Sequence, residues 1–444
     1  MIISKRNIFI IAFCFLFVAS SYGVDETQDF SPQPDEQQLS TSMHSKMDQL
    51  PLIRVGQSNA DLVGNDNRVL QAAVDYIAGL GGGVVEISAG TYTMRDSLHL
   101  RSNVTVRGVE NGTILKKADC VSSLLAIDGD FGEEQITLKD PAGFKIGDGV
   151  AVWDDRAGGF HVVVARITGR RGNTFSISKP LGSDYMIKNK AHADTVFPVV
   201  SGYDLEGVRI ENLVIDGNRD NNVHLNGCRG AGIFLYRGFG TVIKNCIVRN
   251  YNGDGISFQQ SNDVTVINCI CENNTMLGLH PGSGSQRPHI KNCIARKNGT
   301  DGLYLCWRVR HGLFENNIME HNGRFGISIG HKDSDNLIQN NRVVSNQSDG
   351  IFFRNETIGM AGHRNKLKNN VIENNGAKEN GAGIRIRGET NGTVIMNSII
   401  RDTRPTDQQT QTVGIRIEEK AGTVIIENNQ NQSQQKIVDL RKKK

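Results

Sequence analysis

Residues 255–277 read GISFQQSNDVTVINCICENNTML, and residues 278–301 follow at once with GLHPGSGSQRPHIKNCIARKNGTD. The second stretch repeats the plan of the first: a Gly-Ile or Gly-Leu opening, a short apolar strand ending in Asn, another short strand, and a polar turn. The Gly-Ile or Gly-Leu pair recurs at 232, 255, 278, 302, 326 and 350, in steps of 23, 23, 24, 24 and 24. Later copies at Gly383 and Gly414 are stretched by loop insertions. A leucine-rich repeat of this length would carry Leu at fixed offsets, and a propeller blade needs nearly twice the length. Ile, Val and Asn fill the slots instead. The period therefore predicts an all-β fold, a single-stranded right-handed parallel β-helix with three short strands per coil.

Stacking gives the asparagines a reason. Equivalent residues of successive coils lie ~4.8 Å apart, the inter-strand spacing. Asn245, Asn268, Asn292, Asn316, Asn340 and Asn369 close the second strand of their coils. They are expected to point inward and to hydrogen-bond along the stack. Cys246, Cys269 and Cys293 take the next slot in three adjacent coils and read as free buried thiols. One cysteine of the eight lies near the N-terminus, and the other seven cannot all pair.

Outward from the repeat the chain changes character. Residues 201–430 are the solenoid and 431–444 a polar basic tail ending Lys442-Lys443-Lys444. Residues 52–129 hold a cap helix and the first coils. Asn65-Asp66 offer N-caps, and Val69, Leu70, Ala73, Val74 and Ile77 form one helical stripe. Residues 130–200, with short strands around Val150–Trp153, His161–Ile167 and Thr174–Ile177, read as a small inserted β region. Residues 24–51 are polar and aperiodic and predict a disordered linker. Before them Lys5 and Arg6, an apolar run from Ile8 to Val18, and Ser21-Tyr22-Gly23 predict a signal peptide over 1–23 and export. That run is too short to span a bilayer. A net charge of +3 is too small to imply nucleic acid.

Most turns carry only Asn, Gly, Ser and Lys, but coils 278–356 do not. If Leu279, Leu303, Ile327 and Ile351 face the core, period two puts His280, Tyr304, Ser328 and Phe352 in one outward column. A second column holds Ser283, Trp307, His331 and Asn355. The candidate catalytic residues are His280, Tyr304, His331 and Arg354. Trp307, Arg308, Arg310, Lys332, Asp333, Glu356, Arg385 and Arg387 are candidates for substrate binding. Such a set suits proton abstraction next to a carboxylate. A cation neutralises the carboxylate, His serves as base near neutral pH, and Tyr as acid. The expected partner is an anionic, uronic-acid-containing polysaccharide, and the reaction β-elimination or C5-epimerisation. Two alternatives stay open: a glycoside hydrolase using Asp333 and Glu356, and a solenoid that only binds glycan. Asp254, Asp301 and Asp349 each precede a glycine, which is ordinary turn chemistry; a calcium site is their alternative use.

Residues 66–108, with Gly81 to Gly83, Val84-Val85-Glu86-Ile87 and Gly90-Thr91-Tyr92, resemble the N-terminal cap of the pectate-lyase-like superfamily. Residues 203–430 resemble its right-handed β-helix repeats. The resemblance implies the fold more than the chemistry. Gly278-Leu279-His280-Pro281 is similar to the Gly-(apolar)-Asp-Pro-His segment of mannuronan C5-epimerases, with His where that segment has Asp. The polygalacturonase set does not occur in order, and the pectate-lyase Trp-Ile-Asp-His segment is absent.

Overall fold

The computed structural model describes residues 49–156, 160–377 and 381–442. The expected signal peptide and nearly all of the expected linker lie outside the described residues. Among these residues three parallel sheets of 13, 11 and 11 strands are stacked rung on rung. Each coil contributes one strand to each sheet, so the chain winds as a parallel β-helix, and parallel crossovers of this kind are right-handed. About half of these strands are three residues long, with the middle side chain inward. Ile243, Val266, Ile290, Phe314, Ile338 and Leu367 form one such inward column, all fully buried. Each fully buried apolar side chain contributes about 1.5–3 kcal/mol, and the core grows rung by rung.

The capping helix is Asn67–Gly79. Asp66 caps it by accepting a hydrogen bond from the Arg68 backbone N–H at 3.0 Å. Leu70, Ala73, Val74 and Ile77 are buried in the same core as the first strands, which closes the N-terminal end of the stack.

Between Thr113–Lys117 and Val200–Glu206 the chain leaves the helix and builds a six-stranded antiparallel sheet. Leu125, Ile136, Phe144, Val152, Ile167 and Phe175 give this sheet a core of its own. It begins at Ser122–Leu124, earlier than the expected 130, because that strand gains its identity only by pairing with the distant His192–Asp194. A second boundary also moves. The segment 431–444 is not merely a tail: Gln435–Asp439 pairs in parallel with Val413–Ile417 and adds a rung. Its polar side chains hid a strand whose stability comes from backbone pairing.

The asparagine ladder is real but one residue displaced. Asn245, Asn268, Asn292, Asn316, Asn340 and Asn369 all have φ between +54° and +56° and stand at the bend between two strands, partly or fully exposed. Asn tolerates this left-handed region better than most residues. The buried ladder uses the following slot. Asn341 Oδ1 accepts from the Asn317 backbone N–H at 2.9 Å and from Asn317 Nδ2 at 3.0 Å, while Asn341 Nδ2 donates to Phe314 O at 2.9 Å. Asn370 continues the ladder. Cys293, Cys269 and Cys246 fill the same slot in the preceding rungs. Their Sγ atoms reach Val266 O, Ile243 O and Ile210 O at 3.5, 3.6 and 3.7 Å, as the Asn amides do above them. These thiols are free and buried. A second buried ladder runs through Asn274, Asn298, Asn322, Asn346 and Asn375.

Candidate functional site

The site sheet is the 11-stranded sheet that runs from Leu98–His99 to Gln435–Asp439. Within it Ser257 registers with His280, Leu279 with Leu303, Tyr304 with Ser328, and Ser328 with Phe352. The outward column expected from alternation is therefore present. The His280 and Tyr304 rings meet edge to face with centroids 5.5 Å apart. The Arg354 guanidinium lies 4.4 Å over the Tyr304 ring.

The column is outward from the sheet but not open to solvent. His280 is only 3% exposed and Ser328 is fully buried. Beside His280, the segment Asn226–Gly230 lies against Ser257 and Asp254. Ser257 Oγ donates to Gly227 O at 2.6 Å, and a Cβ on Gly227 would collide with Asp254 Oδ2. This covering joins residues some thirty positions apart in the chain, which alternation cannot reveal.

Asp254 is the residue that sequence reasoning undervalued. Its Oδ2 lies 2.7 Å from His280 Nδ1, and its Oδ1 accepts from the Leu277 backbone N–H at 3.1 Å. A carboxylate only accepts, so Nδ1 carries a proton, and in the neutral ring Nε2 presents the lone pair. Nε2 is buried and has no hydrogen-bond partner among the described residues. Asp301 and Asp349 occupy the equivalent position in later rungs. Asp301 takes both Arg324 nitrogens at 2.8 Å, and Asp349 accepts from the Ala382 backbone N–H at 2.7 Å. The three carboxylates thus serve three separate rungs and do not converge on a cation. Among the described residues no group of three His, Cys, Asp or Glu side chains does so. The Asp-Gly pattern was the available signal, and its meaning was rung-to-rung bonding.

The second column also forms. Trp307 and His331 stack with centroids 5.1 Å apart and an interplanar angle of 26°. Trp307 is 42% exposed. His331 Nε2 lies 2.8 Å from Glu356 Oε1, and Nδ1 lies 3.6 Å from Cys306 Sγ. Burial, aided by the Arg354 charge, pushes the His331 pKa down to about 4. At neutral pH the ring is neutral and donates to Glu356. Burial pushes the Tyr304 hydroxyl well above its usual range, so it keeps its proton. Burial also holds the Cys306 thiol up at about 12.

Arg354 is largely committed to the protein. Its Nη1 donates to Ser328 Oγ at 2.8 Å and its Nη2 to Asp333 Oδ2 at 3.0 Å, while Nε has no hydrogen-bond partner among the described residues. Asp333, expected at the substrate face, is turned into the protein instead. It is fully buried and accepts from the backbone N–H groups of Val309 and Gly330 at 2.9 and 3.1 Å. Three residues after the turn Gly330, its side chain folds back under the loop, a direction that sequence spacing does not give. Burial outweighs Arg354 and raises the Asp333 pKa to about 7. An acid held above its unfolded value of 3.8 contributes stability below that pH and loses it as pH rises through about 7. Melting curves across this window should show Asp333→Asn gaining on the wild type as pH rises. Parallel curves would refute the buried titration.

The remaining candidates scatter. Arg310 bridges Gln286 and Ser334 on a different turn, where its charge acts on Asp335. Arg308 is exposed; its backbone N–H donates to His331 O at 2.8 Å and its backbone O accepts from Gln286 Nε2 at 3.0 Å. Lys332 is half-buried at the turn, with φ +67°. Arg385 registers with Phe352 but pairs with Glu418 at 2.8 Å, and Arg387 lies 5.7 Å over Phe352. An 1110 Å³ cavity at the C-terminal end, beside Glu389, Lys420 and Arg441, contains none of the candidates.

Among the described residues no helix is long and apolar enough to cross a membrane. Comparison with known proteins agrees with the architecture. Residues 207–357 match the family described as a right handed beta helix region. No curated protein matches the chain significantly. The A-module of the Azotobacter vinelandii mannuronan C-5 epimerase AlgE4 superposes with a TM-score of 0.56 at 16% identity, over 86% of this chain and 97% of that one. The AlgE6 A-module of the same organism gives 0.50 at 14% identity, with the same coverage. The Dettilon tailspike protein gives 0.50 at 12%, over 84% of this chain and 62% of that one. At these identities the likeness is one of fold. The protein is a right-handed parallel β-helix.

Proposed function

We propose that the protein acts on an acidic, uronic-acid-containing polysaccharide, by β-elimination or C5-epimerisation at the His280–Tyr304 centre. One observation carries this reading: Asp254 fixes the Nδ1 proton of His280, and the opposite nitrogen is left unpartnered beside a protonated tyrosine. Nε2 takes the proton from C5 of the sugar, and the C–H electron pair moves into the carboxylate as an enolate. In elimination that pair returns to form the C4–C5 double bond and expels the glycosidic oxygen, which takes the Tyr304 proton. In epimerisation the Tyr304 proton returns to C5 on the opposite face. Arg354, 4.4 Å over Tyr304, supplies positive field to the developing enolate. With Asp333 holding its proton up to about pH 7, the Arg354–Asp333 pair is net positive at and below neutrality. Substrate reaches Nε2 when the covering segment Asn226–Gly230 shifts, a loop motion of the kind that gates many sites.

Two similarly folded proteins are named as mannuronan C-5 epimerases, which supports the substrate class. The hydrolase alternative is weakened because Asp333 is enclosed and bound by three donors. Export through residues 1–23 belongs to the same reading, since such polymers lie outside the cytoplasm. Incubation with polymannuronate, polyguluronate and polygalacturonate tests it. Ultraviolet absorbance of an unsaturated product indicates elimination, and solvent deuterium at C5 without chain cleavage indicates epimerisation. New reducing ends without absorbance would sink both and restore a hydrolase.

A further inference from the structure

The inserted sheet and the site sheet enclose a 550 Å³ cleft, lined among others by Val163, Lys179, Tyr203, Arg229, Phe234 and Tyr236. That volume falls within the ~300–1,000 Å³ usual for small-ligand sites. Three aromatic rings form its floor. The Tyr203 centroid lies 5.9 Å from that of Phe234 and 6.3 Å from that of Tyr236. Lys179 Nζ stands 3.9 Å over the Tyr203 ring.

Of the three cations lining this cleft among the described residues, one is paired with a carboxylate and two are not. Arg237 at the rim is held by Asp204 at 2.5 Å. Arg229 instead donates to the Phe160 and Cys228 carbonyls, both at 3.1 Å. Among the described residues neither Arg229 nor Lys179 lies within ion-pair distance of a carboxylate. Two cations facing one cavity repel each other, and an anion between them relieves that repulsion. Aromatic faces beside unpaired cations suit a sugar ring that carries a carboxylate.

The cleft lies on the same face as His280. Phe234 registers with Ser257 and Ser257 with His280, so the two places are two rungs apart, about 10 Å. We propose that this cleft is a second subsite of the polymer-binding face, holding an acidic sugar unit on Tyr203 and Tyr236 with its carboxylate toward Lys179 and Arg229. The polymer then lies along the solenoid axis, and the inserted sheet is its side wall. This assignment rests on the acidic-polysaccharide reading of the His280 site.

Calorimetric titration with short and long oligomers of mannuronate and galacturonate tests it, with carboxyl-reduced long oligomers as the neutral control. Wild-type protein is expected to bind the long acidic oligomers more tightly than the short ones. Lys179→Ala should weaken the long oligomers about tenfold and leave the short ones unchanged. Tyr236→Ala should do the same, and Tyr236→Phe should retain wild-type binding because the ring face remains. Melting temperatures accompany each variant. If wild-type protein binds long acidic oligomers and every variant matches it, the subsite is wrong and the reading of the His280 centre stands. If wild-type protein binds no acidic oligomer of any length, both are overturned.

Discussion

His280→Asn is expected to leave the protein folded and to lower turnover by about 10²–10⁴-fold. The asparagine amide takes over the Nδ1–H bond to Asp254, which is 2.7 Å long in the native protein, and the group at Nε2 is lost. The more obvious His280→Ala is a poorer test. It would leave the buried Asp254 carboxylate with only the Leu277 N–H and open a cavity beside Tyr304. Breaking a buried charged pair costs about 3–5 kcal/mol, so lost activity would be confounded with lost fold. Melting temperature and initial rate measured on the same His280→Asn sample decide the matter. Wild-type turnover in a correctly folded variant would remove His280 from the chemistry.

Asn341→Ala is expected to cost about 3 kcal/mol or more. It removes a hydrogen bond from three buried groups, the Asn317 backbone N–H, Phe314 O and the Asn317 amide, the last of which keeps Ile290 O at 2.9 Å. Each such group costs about 1–3 kcal/mol. Its chain neighbour provides the contrast. Asn340 is exposed with φ +56°, so Asn340→Gly removes little packing and relieves the left-handed backbone. Its effect should stay within about 0.5 kcal/mol. Denaturant midpoints of the two variants compare them directly. Equal shifts would mean that the ladder does not run through Asn341.

The fold was legible because the solenoid is a local code repeated. A 23- or 24-residue step and period-two alternation place His280 beside Tyr304 and Trp307 beside His331, as observed. The Asn-Asn pairs were ambiguous for a physical reason. One Asn takes the left-handed bend and the next faces the core, and both tasks favour the same residue type. Cysteine in the second slot of three rungs was the clue to which was which. Arg310 and Asp333 were misjudged because they follow left-handed turn residues, Arg308 and Lys332, where alternation no longer dictates direction.

By itself, then, the sequence determined the repeat, the cap, the existence of an inserted β region and the column that carries the reactive side chains. Each of these follows from spacing along the chain. The tertiary structure alone decided the Asp254–His280 bond, the burial of Asp333 under its turn, the cover of Asn226–Gly230 and the cleft beside the inserted sheet. These depend on contacts between different coils and on the balance between desolvation and pairing. That balance is set by what surrounds a side chain in space, and spacing along the chain does not encode it.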